Sequence, residues 1–565
     1  MRNFVKFFLR IFFVSLAVAP VAATAAGGAV PGVAQATAGT EALLSGGRVK
    51  VGVSWRDPYT GDVGAATAQQ PGDEFAFFSF FSADNPEVFV KALGGNTPES
   101  IQLFAAGLTT FEYTVTFAGC GRTKTFTKPA FAKITYEDGA GFPIAGCLPV
   151  EPVTQKVLGG SKLDFPSLGH GSQAVSRTAD GGFIVAGTVS SNDGDVSGNH
   201  GLFDIWVAKL GPSMDVEWQR CLGGSKYDLA GGVIPTSDGG YALIGTTNSS
   251  DGDVGKGHGL GDVWIVKLDA AGKILWQRLY GGSAWDVGIS LVQTADGGFV
   301  FAAVTRSNDG DVSGNHGQYD IWVARIDKAG ALVWQRCLGG SQVDMVSSLQ
   351  GTSDGGFLVT GSTDSSDGDV SGAHGGRDVF VAKLGGQGTV EWVRAIGGTG
   401  DEMGNSGRQT SDGKFVIAGW TTSSDGDVGG VKGGKDALLV LLDAAGKVLW
   451  TRTYGGTNDD SAFSVVEAAK GGFVFAGETF SPDGDVTFFK GGSDAWVVQV
   501  SPSGDLVGSR CLGGSDQDSA GSVVPLPAGE GYLVAGWTGS RDGDVRGLRG
   551  DRNIWLVKLG AGELR

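Results

Sequence analysis

From residue 229 onward the hydrophobic positions fall in short alternating runs separated by glycine-rich breaks. "LAGGVIPTSDGGYALIGTT" (229–247) places two apolar runs around Asp238 and Gly239, a pair that signals a two-residue hairpin turn with positive φ. "DVWIVKLDAAGKILWQRLYGG" (262–282) places two more around Ala271 and Gly272. Four antiparallel strands per segment follow, and no helical period of useful length competes with them. The segment then repeats. DGDV begins at Asp193, Asp251, Asp309, Asp367, Asp425 and Asp483 at a constant 58-residue step, and once more at Asp542, displaced by one. Each copy is preceded by GGS or GGT with an acid three residues on, as in Gly223, Gly224, Ser225 and Asp228.

The two ends of the repeat array decide between a solenoid and a ring. The last unit stops soon after its third strand, "NIWLVKL" (553–559), while "VTQKVLGGS" (153–161) supplies the missing fourth strand ahead of the first unit. Such a circular permutation hides sheet edges only if the array closes on itself. The fold class is therefore all-β, a seven-bladed β-propeller over residues 149–565 closed by an N-terminal strand. Residues 41–148 lack the repeat. Their runs "RVKVGVSW", "FAFFSFF", "EVFVKAL", "IQLFAAG" and "FEYTVTF" predict successive strands of a small immunoglobulin-like β-sandwich.

The N-terminus changes the picture of where the chain works. Arg2, Lys6 and Arg10 flank an apolar run ending in small residues, which predicts a secretory signal peptide over 1–25 and a flexible Gly/Ala-rich leader over 26–40. The run is short for a bilayer-spanning helix, and no later segment reaches that length, so the mature chain is expected to carry no membrane span and to be secreted or held at the cell surface. Cys120 and Cys147 are candidates for a bridge in that oxidising setting. Cys221, Cys337 and Cys511 occupy one repeated "RCLGG" position and read as small buried hydrophobes. A formal net charge of −17 disfavours a nucleic-acid partner. It leaves proteins, glycans and cations open.

In a four-stranded blade the DGDV loop and the GGS loop emerge on the same face, where function is to be sought. Counted from the first Asp, Asp193, Asp195, Ser197 and Asp204 take positions 1, 3, 5 and 12, the ligand spacing of an EF-hand calcium loop with Asp for the final Glu. Asp309, Asp311, Ser313 and Asp320 repeat it, as do Asp367, Asp369, Ser371 and Asp378. The other four loops fit less well, with Gly255, Gly429, Thr487 and Arg546 at position 5 and Asn553 at position 12 of the last. Position 8 is a base throughout: His200, His258, His316, His374, Lys432, Lys490 and Arg549. Position 9 is always Gly, which predicts positive φ there. Two readings stand side by side: calcium in some blades, or Asp side chains that cap loop N–H groups and pair with the base.

The recurrent string, GGSxxD, TxDGGF, SxDGDVSGxHGxxDxW and GxxxWxR, resembles that of secreted bacterial β-propeller repeat proteins found on cell surfaces. Integrin α propellers offer a distant parallel for calcium in Asp-rich blade loops. "LDAAGKILWQR" also resembles the tryptophan motif of quinone-dependent alcohol dehydrogenase propellers, without that motif's Thr-Gly pair or an adjacent Cys pair. Trp206, Trp264, Trp322, Trp496 and Trp555 start third strands and read as packing between blades, whereas Trp285, Trp420 and Trp537 break the lattice. Trp420 and Trp537 follow the second strand, near the loop face, and are candidates for ligand contact. His170, in an insertion peculiar to the first repeat, is the sole histidine off the lattice. Departures also gather in the sixth loop, at Phe488 and Phe489, and in the seventh, at Arg541, Arg546, Arg549 and Arg552. The expected function is an exported noncatalytic binding or structural protein presenting an acidic loop face to a protein, glycan or cation. The alternative is an extracellular propeller enzyme, carbohydrate-active or quinone-dependent dehydrogenase-like, whose catalysis would need residues present in only one or two blades.

Overall fold

The computed structural model describes the strands between residues 41 and 143, then residues 154–166, 173–560 and 562–564. The expected leader, Cys120, Cys147 and His170 lie outside the described residues. The chain forms two compact units, one holding the strands up to residue 143 and the other the residues from 154 onward. In the first unit, Glu41–Leu44, Val49–Arg56, Val63–Ala65, Glu112–Gly119 and Arg122–Lys128 make one antiparallel sheet. Thr67–Gly72, Phe75–Ser79, Val88–Gly94, Ser100–Gly107, Ile134–Glu137 and Phe142–Pro143 make a second.

The second unit is a seven-bladed propeller, and among the described residues it has no α-helix. Blade 2 shows the plan: Asp228–Pro235, Tyr241–Thr247, Asp262–Leu268 and Ile274–Tyr280 pair in sequence order. The first strand of each blade lies innermost, against the first strands of its neighbours. Blades 3 to 6 follow the same order, starting at Asp286, Asp344, Glu402 and Asp460. Blade 1 has its inner strand split into Asp164–Pro166 and Val175–Arg177 around the insertion. Blade 7 combines Asp518–Pro525, Gly531–Thr538 and Asn553–Gly560 with Thr154–Leu158, which pairs antiparallel with the third strand, Val157 opposite Trp555. The ring closes as the permuted repeat predicted.

Apolar alternation works here on both sheet faces, because each blade is covered by two neighbours. All seven residues of Phe183–Val189, Asp204–Leu210 and Asp262–Leu268 are buried. Trp206, Trp264, Trp322 and Trp496 have no exposed surface, and Trp206 and Trp264 spend their indole N–H on Gln219 and Gln277 at 2.9 and 2.6 Å. The outer tryptophans lean on the next blade, Trp218 edge-on to Tyr241 at 5.6 Å and Trp392 to Phe415 at 5.7 Å. Cys221, Cys337 and Cys511 are buried free thiols, and burial pushes the first two up to about 12.

Two local expectations are corrected. The hairpin at Asp238–Gly239 is a three-residue loop: Gly239 N–H donates to Thr236 O, Thr236 N–H to Gly240 O, and only Gly239 has positive φ, at 81°. This is a type I turn closed by a left-handed glycine, whose twist suits the flanking strands without a second strained residue. At position 9 of the DGDV loop, Gly491 has the expected positive φ, at 148°, but Gly201, Gly259, Gly317, Gly375, Gly433 and Gly550 do not. Glycine is required there by close approach, since a Cβ on Gly201 would sit 2.4 Å from Gly224 O and one on Gly317 would sit 2.3 Å from Ser341 O.

Each inner strand from blade 2 to blade 7 carries a bulge, at Gly231, Ile289, Ser347, Asn405, Phe463 and Gly521. Ile289, Ser347, Asn405 and Phe463 are buried. Asn405 donates to Ala462 O at 2.8 Å, and Gln173 of blade 1 exchanges hydrogen bonds with Leu291 of blade 3 at 2.8 and 2.9 Å. Side chains fill the waist of the axis. Above that waist the seven junctions ring the axis at the long-loop end, a region here termed the bowl.

Candidate functional site

The seven DGDV loops form a repeated clamp between blades. The first Asp accepts the backbone N–H of the Ser or Thr in the preceding GGS/T loop: Asp193 from Ser161, Asp309 from Ser283 and Asp367 from Ser341, each at 2.8 Å. The remaining four blades repeat this bond at 2.7 to 2.8 Å. The hydrogen bond holds Asp193, Asp309 and Asp367 below the usual carboxylate range. Asp195, Asp311 and Asp369 accept from the first glycine of the same loop at 3.2, 3.2 and 3.4 Å. Ser197 and Ser313 accept from Gln219 and Gln335 at 2.5 and 2.6 Å, while Ser371 is exposed. Asp204, Asp320 and Asp378 are buried and accept the backbone N–H of His200, His316 and His374 at 3.0, 3.0 and 2.8 Å. Among the described residues, no three carboxylate, histidine or cysteine side chains stand together as a group able to hold an ion.

The base at position 8 fills the space between blades. His200 and His316 bring Nδ1 to 2.6 Å from Asp204 and Asp320. Lys432 reaches Asp485 of the next blade, Lys490 reaches Asp544 at 2.6 Å, and Arg549 reaches Asp195 across the closure at 2.5 Å. Behind each base lies a second buried acid, the one that opens the next inner strand. Asp344 shows its duties: it accepts from Gly340 N–H at 2.7 Å, from the Ser365 hydroxyl at 2.9 Å and from the Thr363 hydroxyl. The two buried acids of a junction face one spot. A Cβ on Gly513 would lie 2.4 Å from Asp518 Oδ2 and 2.8 Å from Asp494 Oδ1, which is why that loop position is glycine.

The repeat is broken around the axis, in the bowl. At all seven junctions the residue before the third strand gives its carbonyl to the N–H of the next inner strand: Phe203 to Asp228, Gly261 to Asp286, Tyr319 to Asp344, Arg377 to Glu402, Lys435 to Asp460, Ser493 to Asp518 and Arg552 to Asp164. The backbone is sevenfold, but the side chains are not. One arc is aromatic. Phe203 and Tyr227 stack at 5.9 Å and 19°, Trp285 follows at the next junction, and all three are half-buried. Tyr319 lies beneath Arg306, 5.7 Å from its ring centre.

The opposite arc is charged. Arg377 pairs with Asp364 through two hydrogen bonds of 2.8 and 3.2 Å, beside Asp401. Lys435 is buried with its ammonium 5.2 Å from the Trp420 ring centre, and Arg552 lies 4.0 Å over Trp537 while donating to Gln517 at 2.6 Å. Between them stands Glu478. It shares its strand position with Trp420 and Trp537, and with the Thr188 and Thr246 that merely cap Ala230 and Gly288 N–H groups at 3.0 Å. Burial raises the Glu478 carboxyl, against the pull of Ser493, Lys435 and Arg552. The lattice-breaking tryptophans and Arg552 thus belong to one place. Phe203, Tyr227, Lys435 and Glu478, which sequence reasoning passed over, complete it. Their only signal was departure from the repeat at three fixed positions.

No protein-family model matches the chain. A 193-residue stretch is 29% identical to the regulatory protein FlaEY of Caulobacter vibrioides, covering 31% of this chain and 20% of that relative. The chain thus spans about a fifth of the length of that curated relative. Among solved structures, the chain is similar to the Pan2 WD40 domain of Neurospora crassa, at 10% identity and a TM-score of 0.37, with 69% of this chain and 89% of that one covered. It is also similar to Sqt1 from Chaetomium thermophilum, at 11% identity and a TM-score of 0.37, with 82% and 94% covered.

Proposed function

We propose that this is an exported, noncatalytic binding protein whose ligand sits in the bowl at the long-loop end of the propeller. One observation carries the reading: around the axis a backbone repeated seven times carries an aromatic arc facing a charged one, where a ligand would touch several blades at once. Ring closure does not itself require that division, since the cap between the first Asp and the loop N–H farther out recurs in every blade. A noncatalytic role fits the charged arc, whose acids stand beside bases and carry structural hydrogen bonds.

The test is to apply wild type, Trp285→Ala and Glu478→Gln to arrays of neutral glycans, acidic glycans and peptides. Wild type is expected to hold at least one class, both variants to lose it tenfold or more, and the eluted probe to have unchanged mass. Retention by both variants would put the ligand elsewhere. A change of probe mass would make the protein an enzyme.

We further propose that the DGDV acids serve as caps and ion-pair partners and hold no calcium, because one oxygen of Asp193 and its equivalents is held by a loop N–H and position-8 bases such as His200 and Arg549 stand against the acids. Thermal unfolding in excess calcium and in chelator is then expected to coincide. A single independent site at a hundredfold excess would instead add about 2.7 kcal/mol.

A further inference from the structure

We propose that the bowl takes a neutral oligosaccharide, an inference that rests on the bowl being the ligand site. Three features of the site converge on this class. The first is the aromatic arc. Phe203, Tyr227 and Trp285 are half-buried at successive positions, in contrast to the third-strand tryptophans Trp206, Trp264 and Trp322, which have no exposed surface. The Phe203 and Tyr227 rings lie within 19° of parallel. A pyranose offers a flat C–H face of matching size to such a surface, and stacking on it removes apolar area from water without desolvating the hydroxyls at the ring edge.

The second feature is the polar wall opposite. A sugar hydroxyl both donates and accepts, so a wall that recognises it needs donors and acceptors side by side. The charged arc has this mixture: Arg377 with Asp364 and Asp401, Lys435 near Asp459, and Glu478 between Lys435 and Arg552. These groups are held in place beforehand, Arg377 by a forked ion pair and Arg552 by its Trp537 platform and Gln517. Ordering such side chains at the moment of binding would cost affinity that this arrangement retains.

The third feature separates neutral sugars from the other classes. Each base of the charged arc already faces an acid, which leaves the exposed Arg306 above Tyr319 to attract a polyanion, and the chain's formal charge of −17 opposes one at longer range. A peptide adding itself as a strand would need open backbone groups. The inner strands are instead tied to the neighbouring blade at their upper ends, by Asp228 N–H to Phe203 O and its six equivalents.

The experiment is calorimetric titration of the whole chain with cellohexaose, maltohexaose, xylohexaose and chitohexaose, alongside hexagalacturonate and a mixed hexapeptide pool. Each is run with wild type, Trp285→Ala and Glu478→Gln, whose melting temperatures serve as fold controls. At least one neutral hexasaccharide is expected to bind, with an affinity that varies less than twofold between low and moderate salt and falls tenfold or more in both variants. Binding of only hexagalacturonate or peptide, lost in the same variants, would overturn the ligand class while leaving the bowl as the site. Neutral binding kept by both variants would overturn the site as well. No heat from any neutral hexasaccharide would overturn the inference.

Discussion

Replacing Thr154–Leu158 by glycine and serine in the whole chain should abolish the cooperative unfolding of the propeller. Those five residues are the outer strand of blade 7, paired from Thr154 opposite Lys558 to Leu158 opposite Ile554. Val157 and Leu158 are buried, and each contributes roughly 1.5–3 kcal/mol through the area it removes from water. Gln155 accepts the Trp555 indole N–H at 2.8 Å and donates to Asp544 O, so a buried donor and a loop carbonyl lose their partners too. The strand also leads directly into Gly159 and Gly160, which bond Asp195 and Asp164 of blade 1 at 3.2 and 2.7 Å. Without it, Asn553–Gly560 becomes an open sheet edge, a template for association between chains. Scanning calorimetry and size-exclusion chromatography should show a broadened, lowered transition and concentration-dependent oligomers. A synthetic peptide of residues 153–161 added in trans should restore the sharp transition. A variant that melts as wild type would mean that the ring is held without its closing strand.

That closure was legible in the sequence because a missing strand at one end and a surplus one at the other are visible in a repeat that counts itself. The roles of the DGDV acids were half legible. Asp193 and its six equivalents persist where calcium geometry fails, as at Arg546, and persistence under such variation points to a bond made in every blade. The turn at Asp238 and the glycine at position 9 were misread because a letter does not say why glycine is there: close approach of Gly201 to Gly224 O leaves the same mark as positive φ. The bowl was nearly invisible. Phe203 and Arg552 are 349 residues apart, and only ring closure and the common axis bring their junctions into one rim. Trp420 and Trp537 stood out for breaking a tryptophan lattice, but Glu478 in "GETF" belongs to no motif and gains meaning only from Lys435 and Arg552 beside it.

The propeller should be most stable in mild acid and lose stability steadily toward pH 8, and Asp494→Asn should remove much of that loss. The buried acids of the junctions set the sign. Burial pushes Asp436 up to about 6 and Asp494 up to about 8, from an ordinary 3.8. Asp494 is fully buried among Lys490, Asp518 and Asp544, with Oδ1 lacking a donor. A carboxyl raised on folding contributes stability that is complete below its unfolded value, near 4, and is lost as pH rises through 6 and 8. His200 acts in the same direction: burial works against its charge, but the Asp204 bond raises it, so its contribution fades as pH climbs above the ordinary 6.5. On the acid side, Thr352 and Lys383 hold Asp354 down to about 2, and Lys414 and Thr410 do the same for Asp412, so their support is present above 3.8 and lost as pH falls toward 2. The two limbs leave a maximum near pH 4 to 5. Blade 7 shows what an amide does at the Asp494 position: Asn553 accepts Arg549 N–H at 2.9 Å and donates to Gly160 O at 3.0 Å and Asp164 at 3.3 Å. An amide there meets the facing acid as a protonated Asp494 would meet Asp518. The Asp494→Asn protein should therefore match wild type at pH 4.5 and exceed it at pH 8.5 by roughly 3–5 kcal/mol, since each tenfold weakening of a carboxyl's acidity on folding is worth about 1.4 kcal/mol. Denaturant melts at the two pH values measure the difference directly. A gain of equal size at both would trace the effect to packing, and no gain at pH 8.5 would mean that Asp494 is ionised at little cost.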